Sequence, residues 1–126
     1  MARILLIEPD KLLAETFKGR LEKAGYAVHV AHSAQQAVDR ADNNKPDVII
    51  LELQLSNHNG VEFLYELRSY PEWQHIPVII LSNVPPNEIG TDSKTMQQLG
   101  IVNYLYKPRT TLAQLVAGIE VVIPAS

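Results

Sequence analysis

The segment Asp47-Val48-Ile49-Ile50-Leu51-Glu52-Leu53 constrains this chain more tightly than any other. Four consecutive apolar residues, three of them β-branched, follow Pro46-Asp47 and run into a single carboxylate. A strand that is apolar on both faces belongs in the middle of a parallel sheet covered by helices on each side. Open α/β sheets place their ligand sites outside the carboxyl ends of such strands. Glu52 is therefore expected at or beside the functional site.

At 126 residues the chain has the length of one domain, able to bury roughly two-thirds of its unfolded surface. A formal net charge of −3 gives no general attraction to nucleic acid or anionic lipid, and there is no basic patch or added recognition helix for reading DNA. With no cysteine, disulfides and thiolate metal sites are excluded. The apolar run from Arg3 to Ile7 is far too short for a signal peptide or a membrane span. The expectation is one cytoplasmic domain over residues 1–126, with either a natural end or a cut before another domain near 122–126.

The same logic orders the rest of the chain. Arg3 to Ile7 reads as a first strand, stopped by Glu8-Pro9-Asp10. Leu13, Phe17, Leu21 and Ala24 recur at helical spacing, with Asp10 as N-cap and Gly25 as the stop. Tyr26 to Val30 is a second strand, and Ser33-Ala34-Gln35-Gln36 has capping-box spacing ahead of a helix carrying Ala37, Val38 and Ala41. Asn43-Asn44-Lys45-Pro46 turns into the central strand over 47–53. A polar loop, Ser56 to Gly60, precedes a helix facing inward through Phe63, Leu64 and Leu67 and ending near Tyr70-Pro71. Ile76 to Leu81 is a fourth strand, a weak helix covers about Thr91 to Leu99, and Ile101 to Tyr106 is a fifth strand. Thr110 caps a last helix with an apolar stripe of Leu112, Leu115, Val116 and Ile119; Val121-Val122-Ile123 completes the core. Strand and helix alternate five times, which calls for a doubly wound parallel α/β sheet with five flanking helices.

In such a sheet the ends of the first, third, fourth and fifth strands share one edge. They deliver Glu8, Glu52, Ser82 and Lys107. A carboxylate that attacks phosphorus, a carboxylate for Mg²⁺, and a hydroxyl and an ammonium for phosphoryl oxygens are the parts of a phosphoryl-transfer site. His29, His32, His58 and His75 show no metal-ligand spacing.

With these residues, Ile4-Leu5-Leu6-Ile7-Glu8, Pro46 to Leu51, Gly60, Pro77 to Ser82 and Tyr104-Leu105-Tyr106-Lys107-Pro108, the whole chain resembles the receiver domain of two-component response regulators, the CheY-like fold. The resemblance implies a flavodoxin-like sheet of order 2-1-3-4-5, and a cis bond at Lys107-Pro108. It also implies a protein partner, whether a histidine kinase, an output domain or a downstream target. The partner surface of receivers is the fourth helix, fifth strand and fifth helix, here including Met96, Tyr104 and Lys107, a face that is also open to a homodimer. Neither direct binding of nucleic acid nor engagement of a membrane is expected.

The departures from the family pattern matter more than the matches. Receivers carry the phosphoryl group on an aspartate where this chain has Glu52, and hold Mg²⁺ with two neighbouring acids where it has Glu8 and Pro9. Proline offers no side-chain oxygen, and Asp10 is either a replacement ligand or only a helix cap. The extra methylene of Glu52 moves its carboxylate by roughly 1.5 Å. A misplacement of about 1 Å can cost on the order of 100-fold when attack must be in line. The expected protein is therefore no enzyme and needs no cofactor, with Mg²⁺ weak or lost. It would be a phosphorylation-independent signalling module in which either Glu52 pairs with Ser82 and Lys107 near the activated arrangement, or Lys107 neutralises Glu8 and Glu52 and locks the domain in one shape. Tyr104 matches the aromatic through which receivers relay their state. The competing expectations are a still phosphorylatable, Mg²⁺-dependent receiver and a flavodoxin-type cofactor protein. The acidic Glu8-Pro9-Asp10 loop repels the phosphate that the latter would bind.

Overall fold

The computed structural model describes residues 1–43, 45–55, 58–89 and 92–125. Five parallel strands form one sheet in the order β2-β1-β3-β6-β7: β1 Arg3–Ile7, β2 Ala27–Ala31, β3 Val48–Leu51, β6 Val78–Ser82 and β7 Ile101–Tyr106. This is the anticipated 2-1-3-4-5 order once two unanticipated short strands, β4 Gln54–Leu55 and β5 His58–Asn59, are set aside as an antiparallel pair.

Alternation along the central strands explains the three layers. Leu5, Ile7, Ile49, Leu51, Val78 and Ile80 face one side, where α2 (Ala34–Asn43) and α3 (Gly60–Arg68) pack through Ala37, Phe63, Leu64 and Leu67. Ile4, Leu6, Val48, Ile50, Ile79 and Leu81 face the other, against α1 (Lys11–Lys23) and α5 (Leu112–Val122) through Ala14, Phe17, Leu21, Leu115 and Ile119. All four residues of β3 are fully buried, as a middle strand with both faces covered must be. No helix among the described residues is long and apolar enough to cross a membrane.

Helix ends follow local chemistry. The Asp10 carboxylate accepts from the Leu13 amide, and α1 closes with Gly25 N–H to Glu22 O and Tyr26 N–H to Leu21 O. Gly25, at φ 104°, supplies the left-handed turn that this motif requires. At α2 the expected capping box is half formed. Gln36 N–H reaches Ser33 Oγ, but its side chain accepts from His32 instead of Ser33. The last helix is capped by Thr111, not Thr110, because Gln114 lies at the spacing that lets both halves of a capping box close. Thr110 donates its hydroxyl to Tyr106 O.

Other boundaries shift modestly. The second and fourth strands each start later than read, at Ala27 and Val78, and the fourth helix, α4, runs Ser93–Gln98 from an Asp92 cap. Asn44, Ser56, Asn57 and Thr91 lie outside the described residues, as does the His58 side chain. No cis peptide occurs among the described residues. Lys107-Pro108 instead opens a 3₁₀ turn, Lys107–Arg109, that Thr110 N–H closes on Lys107 O. Val122 and Ile123 pack on the core, while Val121 is left exposed.

The partly buried guanidinium of Arg68, at the end of α3, donates to Leu99 O, Trp73 O and Ile76 O. It thereby ties the ends of α3 and α4 to the approach to β6. Of α4 itself no residue is buried, and Leu99, just beyond it, is.

Candidate functional site

The backbone ladder carries each acid one residue past its strand. Glu8 N–H donates to Ala31 O at 2.9 Å and Glu52 N–H to Ile7 O at 3.0 Å, so both carboxylates start from the same edge. Ser82 is the last residue of β6, and Lys107 follows β7 directly. The four strand-end residues converge. Lys107 Nζ lies 2.5 Å from Glu8 Oε1 and 2.8 Å from Glu52 Oε1, bridging two carboxylates whose side chains are each 3% exposed.

The Glu52 carboxylate is surrounded by donors. Oε1 accepts from Lys107 and from the Asn83 amide at 3.3 Å; Oε2 accepts from the Ser82 hydroxyl and from the Gln54 amide at 3.1 Å. Burial alone would raise the Glu52 carboxyl. The hydrogen bonds from Lys107, Ser82 and the Gln54 amide, with the charge of Lys107, outweigh it and hold the group below the ordinary glutamate value. Burial likewise would lower Lys107, but its bonds to Glu52 and Glu8 bring it above the ordinary lysine value. The site is an ion triad of two carboxylates and one ammonium.

Gly60 shapes the approach. It begins α3, and a Cβ there would stand 2.7 Å from Leu53 Cα, so only glycine lets the helix start this close to the residue after Glu52. Tyr104 is linked to the same site. Its hydroxyl donates to Val84 O, the Val84 amide donates to Ser82 Oγ, and Ser82 donates to Glu52. Burial, and then the negative charge of Glu52, push the Tyr104 phenol up to about 12.

These contacts include donors that sequence reasoning did not anticipate, the Gln54 and Asn83 amides. Main-chain groups leave no residue-type signal. Asp10 directs its side chain to the α1 cap, while its amide donates to Glu8 Oε2 at 3.1 Å. Asp47 sits at the opposite edge of the sheet, accepting from the Arg3 amide at 2.7 Å. Met96 and Tyr104 line a shallow groove between α4 and β7, together with the half-exposed Val102. Lys107, grouped with that surface by sequence, points its ammonium into the triad.

Residues 4–120 match the response regulator receiver domain family. This chain belongs to that family. The KDP operon transcriptional regulatory protein KdpE of Escherichia coli is 32% identical over 108 residues, 86% of this chain and 45% of that protein. The alginate biosynthesis transcriptional regulatory protein AlgB of Pseudomonas aeruginosa is 30% identical over 106 residues, 84% of this chain and 22% of that protein. The receiver domain thus spans less than half the length of these curated relatives. Among solved structures, a sensor protein from Polaromonas sp. JS666 superposes with a TM-score of 0.84 at 25% identity, covering 94% of this chain and 93% of that one. The chemotaxis response regulator CheY4 of Vibrio cholerae shares the fold, with a TM-score of 0.84 at 22% identity over 98% of this chain and 99% of its own.

Receivers ordinarily hold Mg²⁺ beside the phosphoacceptor, and the donor set here does not suit that ion. Glu8 and Glu52 each direct an oxygen to an ammonium, the Glu8 and Glu52 Oε2 atoms accept from amides, and Pro9 has no side-chain oxygen to contribute. Mg²⁺ takes octahedral oxygen coordination, and Pro9 leaves this site one acid short of the pair that receivers use. Among the described residues no group of three or more histidine, cysteine, aspartate or glutamate side chains is placed to hold a metal.

Proposed function

We propose that this receiver domain acts in two-component signalling by protein–protein interaction without being phosphorylated, and that it catalyses no phosphoryl transfer. The carrying observation is that the Glu52 carboxylate already engages a lysine, a hydroxyl and two amides at once. Lysine and hydroxyl are the groups with which receivers contact the phosphoryl oxygens. Glu52 offers them a fixed charge of −1 in place of about −2. A nucleophilic Glu52 would have to leave four donors, one of them a cation, in a site that lacks the second acid with which receivers hold Mg²⁺. The chain from Glu52 through Ser82 and Val84 to Tyr104 then keeps the α4–β7–α5 face in one arrangement. A downstream protein or a second copy would read that face at Met96, Val102 and Tyr104.

Intact-mass analysis after incubation with Mg²⁺ and acetyl phosphate tests the reading. No phosphoryl mass is expected on the wild type, and the adduct is expected to return in Glu52→Asp/Pro9→Asp. A wild-type adduct that disappears in Glu52→Ala would establish the alternative, a receiver that accepts phosphate from a histidine kinase through Mg²⁺ and Glu52.

A further inference from the structure

A second cleft opens beside the ion triad. One wall is Leu53, Gln54, Asn59 and Val61; the other is Val84, Glu88 and Ile89, on and after the 3₁₀ turn Pro86–Glu88. Leu53, Val61, Val84 and Ile89 give it an apolar side, and Gln54, Asn59 and Glu88, all exposed, make the rest of its lining polar. Tyr65 lies one helical turn beyond Val61 on the same side of α3 and is 56% exposed. Exposed aromatic residues next to an apolar recess are the composition of interface anchors.

Charge decides what such a recess can accept. Residues 46–92 hold seven acids and one base, while the remainder of the chain has more bases than acids. That base, Arg68, is engaged by three backbone carbonyls. Of the acids, Glu52 is paired with Lys107 and Asp47 lies at the far edge of the sheet. Glu62, Glu66, Glu72, Glu88 and Asp92 are all exposed. At the cleft itself the charged lining residue is Glu88, so a basic group on the occupant is favoured there and an acidic one is opposed.

We infer that this cleft docks a lysine- or arginine-bearing segment of a partner protein, which inserts one apolar side chain between Val61 and Val84 beside Glu88. The inference builds on the reading of Glu52 as a permanent clamp, because Glu52 joins the two walls. It accepts from the Gln54 amide on one side and the Asn83 amide on the other, and Ser82, its hydroxyl partner, accepts from Val84. A recess held in shape in this way loses little freedom on binding. A second copy could offer Lys11 with Leu12, which is 79% exposed. Such a contact would join unlike surfaces, whereas the two-fold dimers commonest among oligomers pair like with like, so a different protein is the occupant proposed.

The test pans a random dodecapeptide phage library on the folded wild-type chain and measures the enriched peptides by fluorescence anisotropy. Enriched sequences are expected to pair Lys or Arg with an apolar neighbour and to bind more weakly as salt rises. Their affinity is expected to fall roughly tenfold or more in Glu88→Lys, a surface change that reverses the rim charge. Amide shifts in NMR spectra should fall on Gln54, Val61, Val84 and Ile89. No enrichment, acidic peptides, equal binding to Glu88→Lys, or shifts centred on Met96 and Val102 would each overturn the assignment. So would wild-type self-association in sedimentation that Glu88→Lys abolishes, which would give the cleft to a second copy. Phosphoryl mass on the wild type would refute the reading of Glu52 and leave the peptide result to judge the cleft separately.

Discussion

Replacing Lys107 by methionine isolates the energetics of the triad. The substitution keeps most of the side-chain volume but leaves Glu8 and Glu52, each 3% exposed, with no cation between them. Breaking a buried ion pair by removing one partner costs about 3–5 kcal/mol. Here two carboxylates are left rather than one, so the upper part of that range applies at pH 7. With about 2.1 cal/mol/K of unfolding entropy per residue, a loss of this size lowers Tm by roughly 10–20 °C.

The pH dependence should also invert. In the wild type the Glu52 carboxyl is held below its ordinary value, so its contribution is present above about pH 4.3 and is lost as the pH falls through the lowered value. Without Lys107 the two carboxylates repel, and one pKa rises above its unfolded value. The variant then gains stability on acidification from pH 7 to about 5. Adding Glu8→Gln removes the repulsion and should recover about 1–2 kcal/mol. Thermal and urea denaturation followed by circular dichroism at both pH values provides the measurement. A loss below about 1 kcal/mol with no gain on acidification would refute the idea that Lys107 neutralises both acids.

Two further perturbations probe how the chain presents the site. Gly60→Ala forces a Cβ against the Leu53 backbone, where no rotamer change gives relief, and should cost about 1–3 kcal/mol as a lower urea midpoint at unchanged slope. Thr111→Ala removes the accepting half of the α5 capping box and should cost about 1 kcal/mol in the same assay, whereas a change within about 0.3 kcal/mol would show that the cap contributes little.

The sheet and the four strand-end residues were legible because they rest on long-lived patterns. The doubly buried run of β3 could sit only in the middle of a parallel sheet, and topology then fixed which ends met. What sequence did not reveal depended on groups without a residue-type signal. The amides of Gln54 and Asn83 complete the shell around Glu52, and any residue has an amide. The β4–β5 pair is two residues per strand, too short for periodicity. Thr110 and Thr111 are equally good caps by type; the spacing to Gln114 decides between them. The role of Arg68 was invisible because its three acceptors are carbonyls from separate segments.

That arginine has a mechanical consequence. With Leu99 buried and its carbonyl held by Arg68, and with Ser93 to Gln98 leaving no side chain in the core, α4 is a lever with its fulcrum at one end. Six residues of helix are about 9 Å long, so a tilt of about 10° at Leu99 carries Ser93 through about 1.5 Å. The groove holding Met96, Val102 and Tyr104 would widen or narrow from its Ser93 end, while the Arg68 end keeps its place.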